Sequence, residues 1–366
     1  MASRGRPKPL VTIDNLGPPP GVSQVFTPVQ DDDAPKKRWY HYVPLYGTVI
    51  LIFSPHPSLL YFLVHHYLVT LNQPIRFTIH LLITYTLTFL MCTSLIVLVA
   101  RDPGPVKFEE AGRDDEGSEQ VGLTEALNSP DDFSAPGRWC RACWAPKPER
   151  THHCSFCGRC VLKMDHHCPW LGNRCIGHRT YPAFLHFLLC ITLLASYIAV
   201  ISAYALHYAF THPYTIDEVT PVHELLLAFA GIVFTLVIGS FFLYHVYLVT
   251  TNQTTLENIS PFLLLRHLPV LPTTEYSHRL SDPPLEHELS YPQRRLVKDA
   301  HRNIRLYDIG WKKNWKQVLG CTRSLGWVYR ALYGGSSNGD GKSFPRNVRS
   351  EELLTRLARE LVSVDK

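Results

Sequence analysis

The sequence predicts an all-α integral membrane protein with four transmembrane helices and a small cytosolic Cys-rich domain between helices 2 and 3. Three observations lead to this fold class. Four stretches lack Asp, Glu, Lys and Arg. Almost all Lys and Arg residues lie in the segments that would share one side of the membrane. Seven of the ten cysteines lie between Cys140 and Cys175. The mean hydropathy of −0.04 resembles that of a soluble protein only because polar segments dilute the apolar ones.

The four uncharged stretches cover residues 39–75, 77–100, 181–216 and 225–256 and hold 37, 24, 36 and 32 residues. One bilayer crossing needs about 20 mostly apolar residues, so each stretch is long enough to span and a wholly soluble protein is excluded. The first contains Pro55-His56-Pro57, and we predict a single kinked crossing because neighbouring helices and waters can satisfy the backbone groups that proline frees. A re-entrant hairpin remains the alternative for this stretch.

The basic residues predict the orientation. If all four stretches cross, 35 of the 36 Lys and Arg side chains lie on the face that carries both termini and the middle segment. By the positive-inside rule this is the cytosolic face. The rule does not distinguish an endomembrane (ER, Golgi or vacuole) from the plasma membrane. Topology and anionic lipid headgroups explain the net charge of +5, so we predict a bilayer and no nucleic acid as partner.

Composition divides the chain into seven parts. Pro, Gly and acidic residues are frequent in residues 1–38 and 102–137, which we expect to be irregular. In the C-terminal tail, Pro-rich and Gly/Ser-rich stretches flank a piece that looks compact. The predicted parts are a disordered arm (1–38), transmembrane helices 1 and 2 (39–101), a linker (102–137), the Cys-rich domain (138–181), transmembrane helices 3 and 4 (182–250), a cytosolic C-terminal region (251–334) and a flexible tail with a short helix beginning near Ser350 (335–366).

The cysteines and histidines of the middle segment recur at short, regular spacings. Two residues separate Cys140 from Cys143, and two residues lie in each step from Cys154 to Cys157 to Cys160. Repeated C-x2-C pairs with interspersed His are typical of structural zinc sites. A disulfide framework is the alternative, but stable disulfides are rare in the cytosol. About 45 residues bury too little surface to fold alone, so zinc would supply the folding free energy.

The number of ligands leaves one cysteine over. Two Cys3His sites need eight ligands, and Cys168 is not required among them. A free thiol beside Asp165 and His166 is a candidate nucleophile, because a nearby base raises the thiolate fraction. The reverse assignment, with Cys168 as a ligand and Cys175 as the free thiol, stays open. The eight candidates are Cys140, Cys143, Cys154, Cys157, Cys160, Cys175, His153 and His167.

This segment resembles the cysteine-rich domain of the DHHC family of protein S-acyltransferases (palmitoyltransferases). Asp165-His166-His167-Cys168, followed by Pro169-Trp170, matches the family signature. Asp102-Pro103-Gly104 is similar to the DPG motif after the second span, and Thr254-Thr255-Leu256-Glu257 to the TTxE motif after the fourth. Residues 307–320 resemble the C-terminal conserved element. These landmarks cover residues 40–320 in the order of the family.

The resemblance implies roles for matching residues. Cys168 would be the acylated nucleophile, His166 its base and Asp165 the group that orients the imidazole. Lys147 and Arg150 would face the phosphates of coenzyme A, and Asn314 would pack near the active site. In the pattern of the family, one zinc ion takes Cys140, Cys143, His153 and Cys160, and the other takes Cys154, Cys157, His167 and Cys175.

The implied activity moves a long-chain acyl group, such as palmitoyl, from acyl-CoA through Cys168 to cysteines of substrate proteins. The partners would be cytosolic or membrane-associated proteins with accessible cysteines. A membrane-anchored zinc module that recruits partners without catalysis is an alternative, which the intact Asp165, His166 and Cys168 disfavour. A transporter would carry acids or bases within its spans, and the uncharged stretches argue against one.

The sequence departs from the family pattern at two places. Six residues separate Cys168 from Cys175 where the family usually has five, so the loop 171–174 is predicted to bulge. Thr180 stands near the place of the Asn that follows the last cysteine in the family.

Overall fold

A computed structural model describes residues 38–104, 139–140, 142–143, 145–272, 280–281, 283–320 and 326–363. The predicted disordered arm, apart from Arg38, and the predicted linker beyond residue 104 lie outside the described residues. Within the described residues the chain is mostly helical, and four helical segments are long and apolar enough to cross a membrane. These candidate spans are Trp39–Thr70, Pro74–Ala100, Tyr181–Thr211 and Thr220–Thr250.

The first span is helical throughout but changes its helix type twice. A 3-10 turn at Trp39–Tyr42 leads into α1 (Val43–Phe53) and α2 (Pro55–Phe62), and a π-helical stretch follows at Leu63–Thr70. Ser54, between α1 and α2, has helical dihedrals (φ −60°, ψ −31°). The prolines fall in the first turn of α2, where a missing N–H costs little. The chain therefore does not reverse here, as the re-entrant hairpin would require.

The other spans are single helices, α3 (Pro74–Ala100), α4 (Tyr181–Thr211) and α5 (Thr220–Thr250), and they share one apolar core with the first span. Helices α4 and α5 approach most closely at Gly231. A Cβ atom there would lie 2.8 Å from the carbonyl oxygen of Ala195 and from the backbone nitrogen of Ala199. Small residues allow such close packing of membrane helices, because backbone then meets backbone.

A buried polar pair joins the first span to the fourth. Glu224 has no exposed surface, and its Oε1 lies 3.0 Å from Nδ1 of His66, which is also buried in the π-helical stretch. The sequence predicted that the fourth span begins near Leu225, one residue after this acid. Ionisable residues within membrane helices are costly unless they are paired, so we infer that this pair fixes α5 against the first span.

Replacing Glu224 by Ala is therefore expected to destabilise the helix bundle. The change removes the partner of His66 and leaves a buried imidazole unpaired. Interhelical hydrogen bonds in membranes contribute about 0.6–2 kcal/mol, which would lower the Tm of the purified protein in detergent by several degrees. The matched control is Glu218→Ala, because Glu218 is exposed and lies just before the same helix. Equal Tm values for the two variants would contradict the inference.

Three short antiparallel ribbons build the segment between α3 and α4, so the fold is mostly helical rather than entirely α. Each ribbon pairs consecutive strands of two or three residues, and each strand of the second and third ribbons carries a cysteine. So few residues cannot hold a ribbon together by hydrogen bonds alone. The strands are β1 (Trp139–Cys140) with β2 (Ala145–Pro146), β3 (His152–Cys154) with β4 (Arg159–Val161), and β5 (His166–Cys168) with β6 (Arg174–Ile176).

The C-terminal region forms a second, smaller apolar core. Its last helix presents Leu354, Leu357 and Leu361 to Val297 and its neighbours. Within the part predicted as a flexible tail with a short helix, the helix at Val348–Ser363 buries this leucine face, because burying it is more favourable than exposing it. The helices are α6 (Thr255–Ile259), α7 (Tyr291–His301), α8 (Trp311–Val318), α9 (Gly326–Tyr333) and α10 (Val348–Ser363), with 3-10 turns at Pro261–His267 and Glu286–Glu288.

The last helix begins close to its predicted start near Ser350. Helix α10 begins at Val348, so Ser350 lies inside its first turn. The Ser350 hydroxyl donates a 3.0 Å hydrogen bond to the carbonyl oxygen of Arg305. This side chain therefore ties α10 to the segment after α7.

Candidate active site and metal-binding clusters

The first Cys/His cluster joins the first two ribbons. Nδ1 of His153 lies 3.5 Å from Sγ of Cys140, 3.2 Å from Sγ of Cys143 and 4.0 Å from Sγ of Cys160. In a tetrahedral zinc site with Zn–S about 2.3 Å and Zn–N about 2.0 Å, a sulfur and a nitrogen ligand are about 3.5 Å apart. The four side chains therefore form a donor set that could hold a metal ion of this kind.

The second cluster joins the second and third ribbons. Nδ1 of His167 lies 3.5 Å from Sγ of Cys154, 3.5 Å from Sγ of Cys157 and 3.7 Å from Sγ of Cys175. The other ring nitrogen of His167 donates a 2.7 Å hydrogen bond to Oδ1 of Asn173. Such a bond fixes the tautomer and the orientation of a ligating imidazole. This cluster could also hold a metal ion.

The loop between Cys168 and Cys175 accommodates its additional residue. Gly172 and Asn173 both have left-handed backbone conformations, with φ values of 79° and 53°. Glycine and asparagine tolerate this region better than other residues do. The two consecutive left-handed residues turn the chain, so that Cys175 reaches the second cluster and Asn173 reaches His167.

Cys168 belongs to neither cluster. It ends β5, is partly buried, and packs against the apolar core of the spans. The 3-10 turn that follows docks on the first span, where the Thr48 hydroxyl donates a 3.0 Å hydrogen bond to the carbonyl oxygen of Trp170. The thiol thus lies where the Cys-rich segment meets the helix bundle.

An imidazole and a carboxylate accompany this thiol. Nδ1 of His166 lies 2.7 Å from Oδ2 of Asp165. Burial disfavours the charged imidazole, but the hydrogen bonds and charges of Asp165 and Cys168 outweigh burial and raise the pKa of His166 to about 9. A raised pKa makes His166 a better proton acceptor.

Asp165 is buried and is held from its far side by the TTxE motif. Burial would raise its pKa, but the bonds to His166 and Thr255 and the neighbouring imidazoles lower it. The backbone N–H of Thr255 donates to Oδ1 (2.9 Å), and its hydroxyl donates to Oδ2 (2.7 Å). The carboxylate therefore stays ionised and has one orientation.

Aromatic side chains from α4 and α5 line the other side of His166. The ring of Phe184 lies 5.2 Å from the imidazole and meets it edge to face. Nδ1 of His245 and the Tyr181 hydroxyl share a hydrogen bond of 3.0 Å. The centroid of the His245 ring lies 6.1 Å from that of His166. The ends of two spans thus shape the apolar side of the site.

Arg150, which the resemblance places near the phosphates of coenzyme A, occupies an internal position. Its guanidinium is fully buried and donates to both carboxylate oxygens of Glu257, each at 2.7 Å. It also donates to Oδ1 (3.0 Å) and to the carbonyl oxygen (2.9 Å) of Asn252. Side chains and backbone of the protein itself thus accept the hydrogen bonds of the guanidinium. Lys147, by contrast, remains half buried at the surface.

Breaking the pair of Arg150 and Glu257 is expected to destabilise the protein strongly. The exposed fractions of the two side chains are 0% and 16%, so Glu257→Gln would leave a buried guanidinium without its charge partner. Removal of one partner of a buried ion pair costs about 3–5 kcal/mol. We expect a large fall in the thermal stability of the purified protein, and only a small one for Glu286→Gln, whose side chain is exposed. Similar losses in both variants would contradict this prediction.

Two asparagines link these groups to the C-terminal region. Asn252, which the sequence analysis did not select, follows α5 in a left-handed conformation (φ 48°) and donates to the carbonyl oxygen of Tyr307 (2.8 Å). A signal was present, since an Asn directly after a long apolar helix is a common helix end. Asn314 is buried, and its amide donates to the carbonyl oxygen of Thr250 at the end of α5 (2.7 Å).

The DPG and TTxE motifs connect parts of the fold through hydrogen bonds and ion pairs. Asp102 accepts a hydrogen bond from the N–H of Gly104 (2.9 Å) and pairs with Arg159 of the second ribbon (2.8 Å). Thr254 and Glu257 form a capping box at the start of α6. Thr180, in the place of the family Asn, accepts a hydrogen bond from the N–H of Gly177 (3.1 Å) and closes the turn before α4.

Comparisons with known proteins agree with these motifs. Residues 134–261 match the family model of the DHHC palmitoyltransferase. The chain is 44% identical over 121 residues to palmitoyltransferase pfa3 of Emericella nidulans, covering 33% of this chain and 23% of that protein. It is 34% identical over 227 residues to human palmitoyltransferase ZDHHC15, covering 61% and 54%. It is 33% identical over 210 residues to the probable protein S-acyltransferase 1 of Arabidopsis thaliana, covering 52% and 61%.

The alignments thus span less than two thirds of the length of these relatives. The residues that match the family model include the signature, both clusters and the TTxE motif, whereas the DPG motif lies before them. On these grounds residues 134–261 form a DHHC palmitoyltransferase domain, and the chain is similar to proteins of that family.

Proposed function

We propose that this protein is a protein S-acyltransferase, which moves a long-chain acyl group from acyl-CoA through a Cys168 acyl-enzyme to cysteines of substrate proteins. The observation that carries the proposal is the place of Cys168. Its thiol is left out of both clusters, follows the pair of Asp165 and His166, and borders the apolar core of the spans.

We also propose that both clusters hold zinc. Each cluster offers three cysteine sulfur atoms and one imidazole nitrogen. The sulfur atoms lie 3.2–4.0 Å from the histidine nitrogen of their cluster, which suits a tetrahedral ion. When bound, zinc would supply folding free energy to ribbons that are too short to be stable alone. Neither ion takes part in the reaction, since each donor set is complete with four protein ligands.

In the first step, His166 accepts the proton of the Cys168 thiol, and the thiolate sulfur attacks the carbonyl carbon of the acyl-CoA thioester. The bond between that carbon and the sulfur of coenzyme A breaks, and coenzyme A leaves as a thiol with the proton from His166. In the second step, the thiol of a substrate cysteine attacks the Cys168 thioester in the same way. Each step replaces one thioester by another, so neither requires ATP.

Asp165 orients the imidazole throughout and stabilises its charged form. Two hydrogen bonds from Thr255 keep the carboxylate in place, so the base does not depend on a mobile loop. We propose that Lys147, the less buried of the two predicted basic residues, faces the phosphates of coenzyme A.

The place of the thiol also suits an amphipathic substrate. Burying an acyl chain of sixteen carbons at about 0.8 kcal/mol per methylene is worth of the order of 10 kcal/mol, so the chain would stay in an apolar environment. The reacting thioester would then lie at the membrane surface. Cys168, between the Cys-rich domain and the spans, meets it there.

We further propose that the active site and both termini face the cytosol. The distribution of Lys and Arg supports this orientation, with 35 of 36 on one face. The domain division predicted from the sequence, with residues 138–181 as the Cys-rich domain, is kept as part of this proposal.

Mass spectrometry of the purified full-length protein tests the proposal. Incubation with palmitoyl-CoA should add one acyl group, and peptide mapping should place it on Cys168. A series of acyl-CoA donors of different lengths would give the chain-length preference. Acylation at other cysteines alone, or none in zinc-replete protein, would refute the proposed acyl-enzyme.

A further inference from the structure

The chain crosses back over the Cys-rich domain between α9 and α10. We call residues 334–347 the C-terminal strap. It leaves α9 through Gly334 and Gly335, which both have left-handed conformations with φ values of 85° and 79°. It reaches α10 at Asn347, whose backbone N–H donates to the carbonyl oxygen of Leu306 (2.7 Å).

Contacts along its whole length hold the strap on the Cys-rich domain. The Ser337 hydroxyl donates to the carbonyl oxygen of His178 (2.6 Å), and Nε2 of His178 donates to the carbonyl oxygen of Gly339 (3.2 Å). Gly341 lies so close that a Cβ atom there would be 2.7 Å from the ring of His178. Arg346 pairs with Glu149 at the far end.

The strap places the ring of Phe344 next to two cations, the buried Arg150 and the partly buried Lys163. The ring centroid lies 5.0 Å from the Arg150 guanidinium carbon and 5.4 Å from Nζ of Lys163. The ring of Tyr307 lies 4.3 Å from the same guanidinium carbon and meets the ring of Phe344 edge to face, with centroids 6.0 Å apart. The negative face of an aromatic ring stabilises a cation, and it does so most strongly where water is excluded.

Two cations next to each other make this stabilisation important. Burial, together with the charge of Arg150, lowers the pKa of Lys163 to about 7, while Glu257 and Asp165 partly offset the shift. Glu257 is the carboxylate that pairs with Arg150. An aliphatic side chain in place of Phe344 would exclude water but would leave these charges without the aromatic ring of Phe344.

The same network continues to the reacting thiol. Arg150 fixes Glu257, and Glu257 accepts a 2.9 Å hydrogen bond from the N–H of Thr254 at the start of α6. The next residue, Thr255, holds Asp165 through two hydrogen bonds, and Asp165 orients His166. A shift of Arg150 would therefore be transmitted to the carboxylate that orients the base.

We propose that Phe344 is a positioning residue, which acts through Arg150 and Glu257 to hold the site of Asp165, His166 and Cys168 in its reactive geometry. The proposal rests on the acyltransferase function proposed above. It assigns a role in the reaction to the C-terminal strap, which no sequence motif suggested.

The test compares acyl-enzyme formation in the purified full-length protein and in Phe344 variants at several concentrations of palmitoyl-CoA. We expect Phe344→Leu to lower the rate at saturating palmitoyl-CoA about three- to tenfold, the effect of losing one cation–π contact. The half-saturating concentration should stay the same, because the proposed role of the ring is to position the reacting groups and not to bind the donor. Phe344→Tyr, which keeps an aromatic face, should restore most of the rate.

Tyr291→Leu is the matched control, since Tyr291 begins α7 and 82% of its surface is exposed. Equal rates for the Phe344→Leu variant and the wild type would overturn the proposal, and so would a Tyr variant as slow as the Leu variant. If the Leu variant does not fold, judged by Tm and zinc content, Phe344→Met takes its place with the same expectation. A wild-type protein that forms no acyl-enzyme would instead refute the proposed function, so the two failures are distinct.

Discussion

Replacing Cys168 by Ser is expected to abolish the hydroxylamine-sensitive labelling of the protein by palmitoyl-CoA. The Ser hydroxyl ionises far less readily than a thiol and is a much weaker nucleophile, even beside an intact base. Removal of a nucleophile typically lowers the rate about 10³-fold or more, which would put labelling below detection in an ordinary gel assay. The measurement is the rate of incorporation of a labelled acyl group, with and without hydroxylamine treatment.

Cys92→Ser is the matched control for this experiment. Cys92 is also a partly exposed free cysteine, but it lies in α3 and belongs to neither cluster. The control should be labelled like the wild type, and both variants should keep the same metal content and Tm. Undiminished labelling of the Cys168→Ser variant would show that another residue carries the acyl group.

Much of this architecture could be predicted from local sequence signals. The four spans follow from long uncharged stretches, and the spacing of cysteines and histidines indicates the eight candidate ligands, whose division into two sets was implied by the family resemblance. Such patterns are readable because each element carries its own signal over a few residues. The π-helical stretch at Leu63–Thr70 has no comparable signal, since one additional residue in a helical turn leaves the apolar composition unchanged.

The features that the sequence did not reveal depend on distant partners. Glu224 and His66 are 158 positions apart, and the acid lies at the edge of its stretch, where it looks like a loop residue. Arg150 matched a basic position of the family, but its burial depends on Glu257, 107 residues later, and on the strap. A single sequence shows which side chains could pair and does not show which pairs the fold brings together.

The largest effect after that of Cys168 is expected for the metal ligands. His166 and Cys168 lie on one strand of three residues, and its partner strand is equally short, so their geometry depends on the second cluster, which includes His167 and Cys175 from these two strands. Structural zinc binding supplies about 10–16 kcal/mol, which is comparable with the whole stability of a domain. We therefore expect Cys175→Ser to lower the zinc content from two ions per chain to one and to abolish acyl-enzyme formation.

Cys190→Ala is the control for this variant, because Cys190 is buried in α4 and is not a ligand. It should keep both zinc ions and the acylation rate of the wild type, as measured by elemental analysis and by palmitoyl-CoA labelling. Loss of one zinc ion with the rate unchanged would mean that packing of the 3-10 turn on the first span is enough to hold Cys168. Two zinc ions in the Cys175→Ser variant would show that Cys175 is not a ligand, and the assignment of Cys168 as the free thiol would then lose its main support.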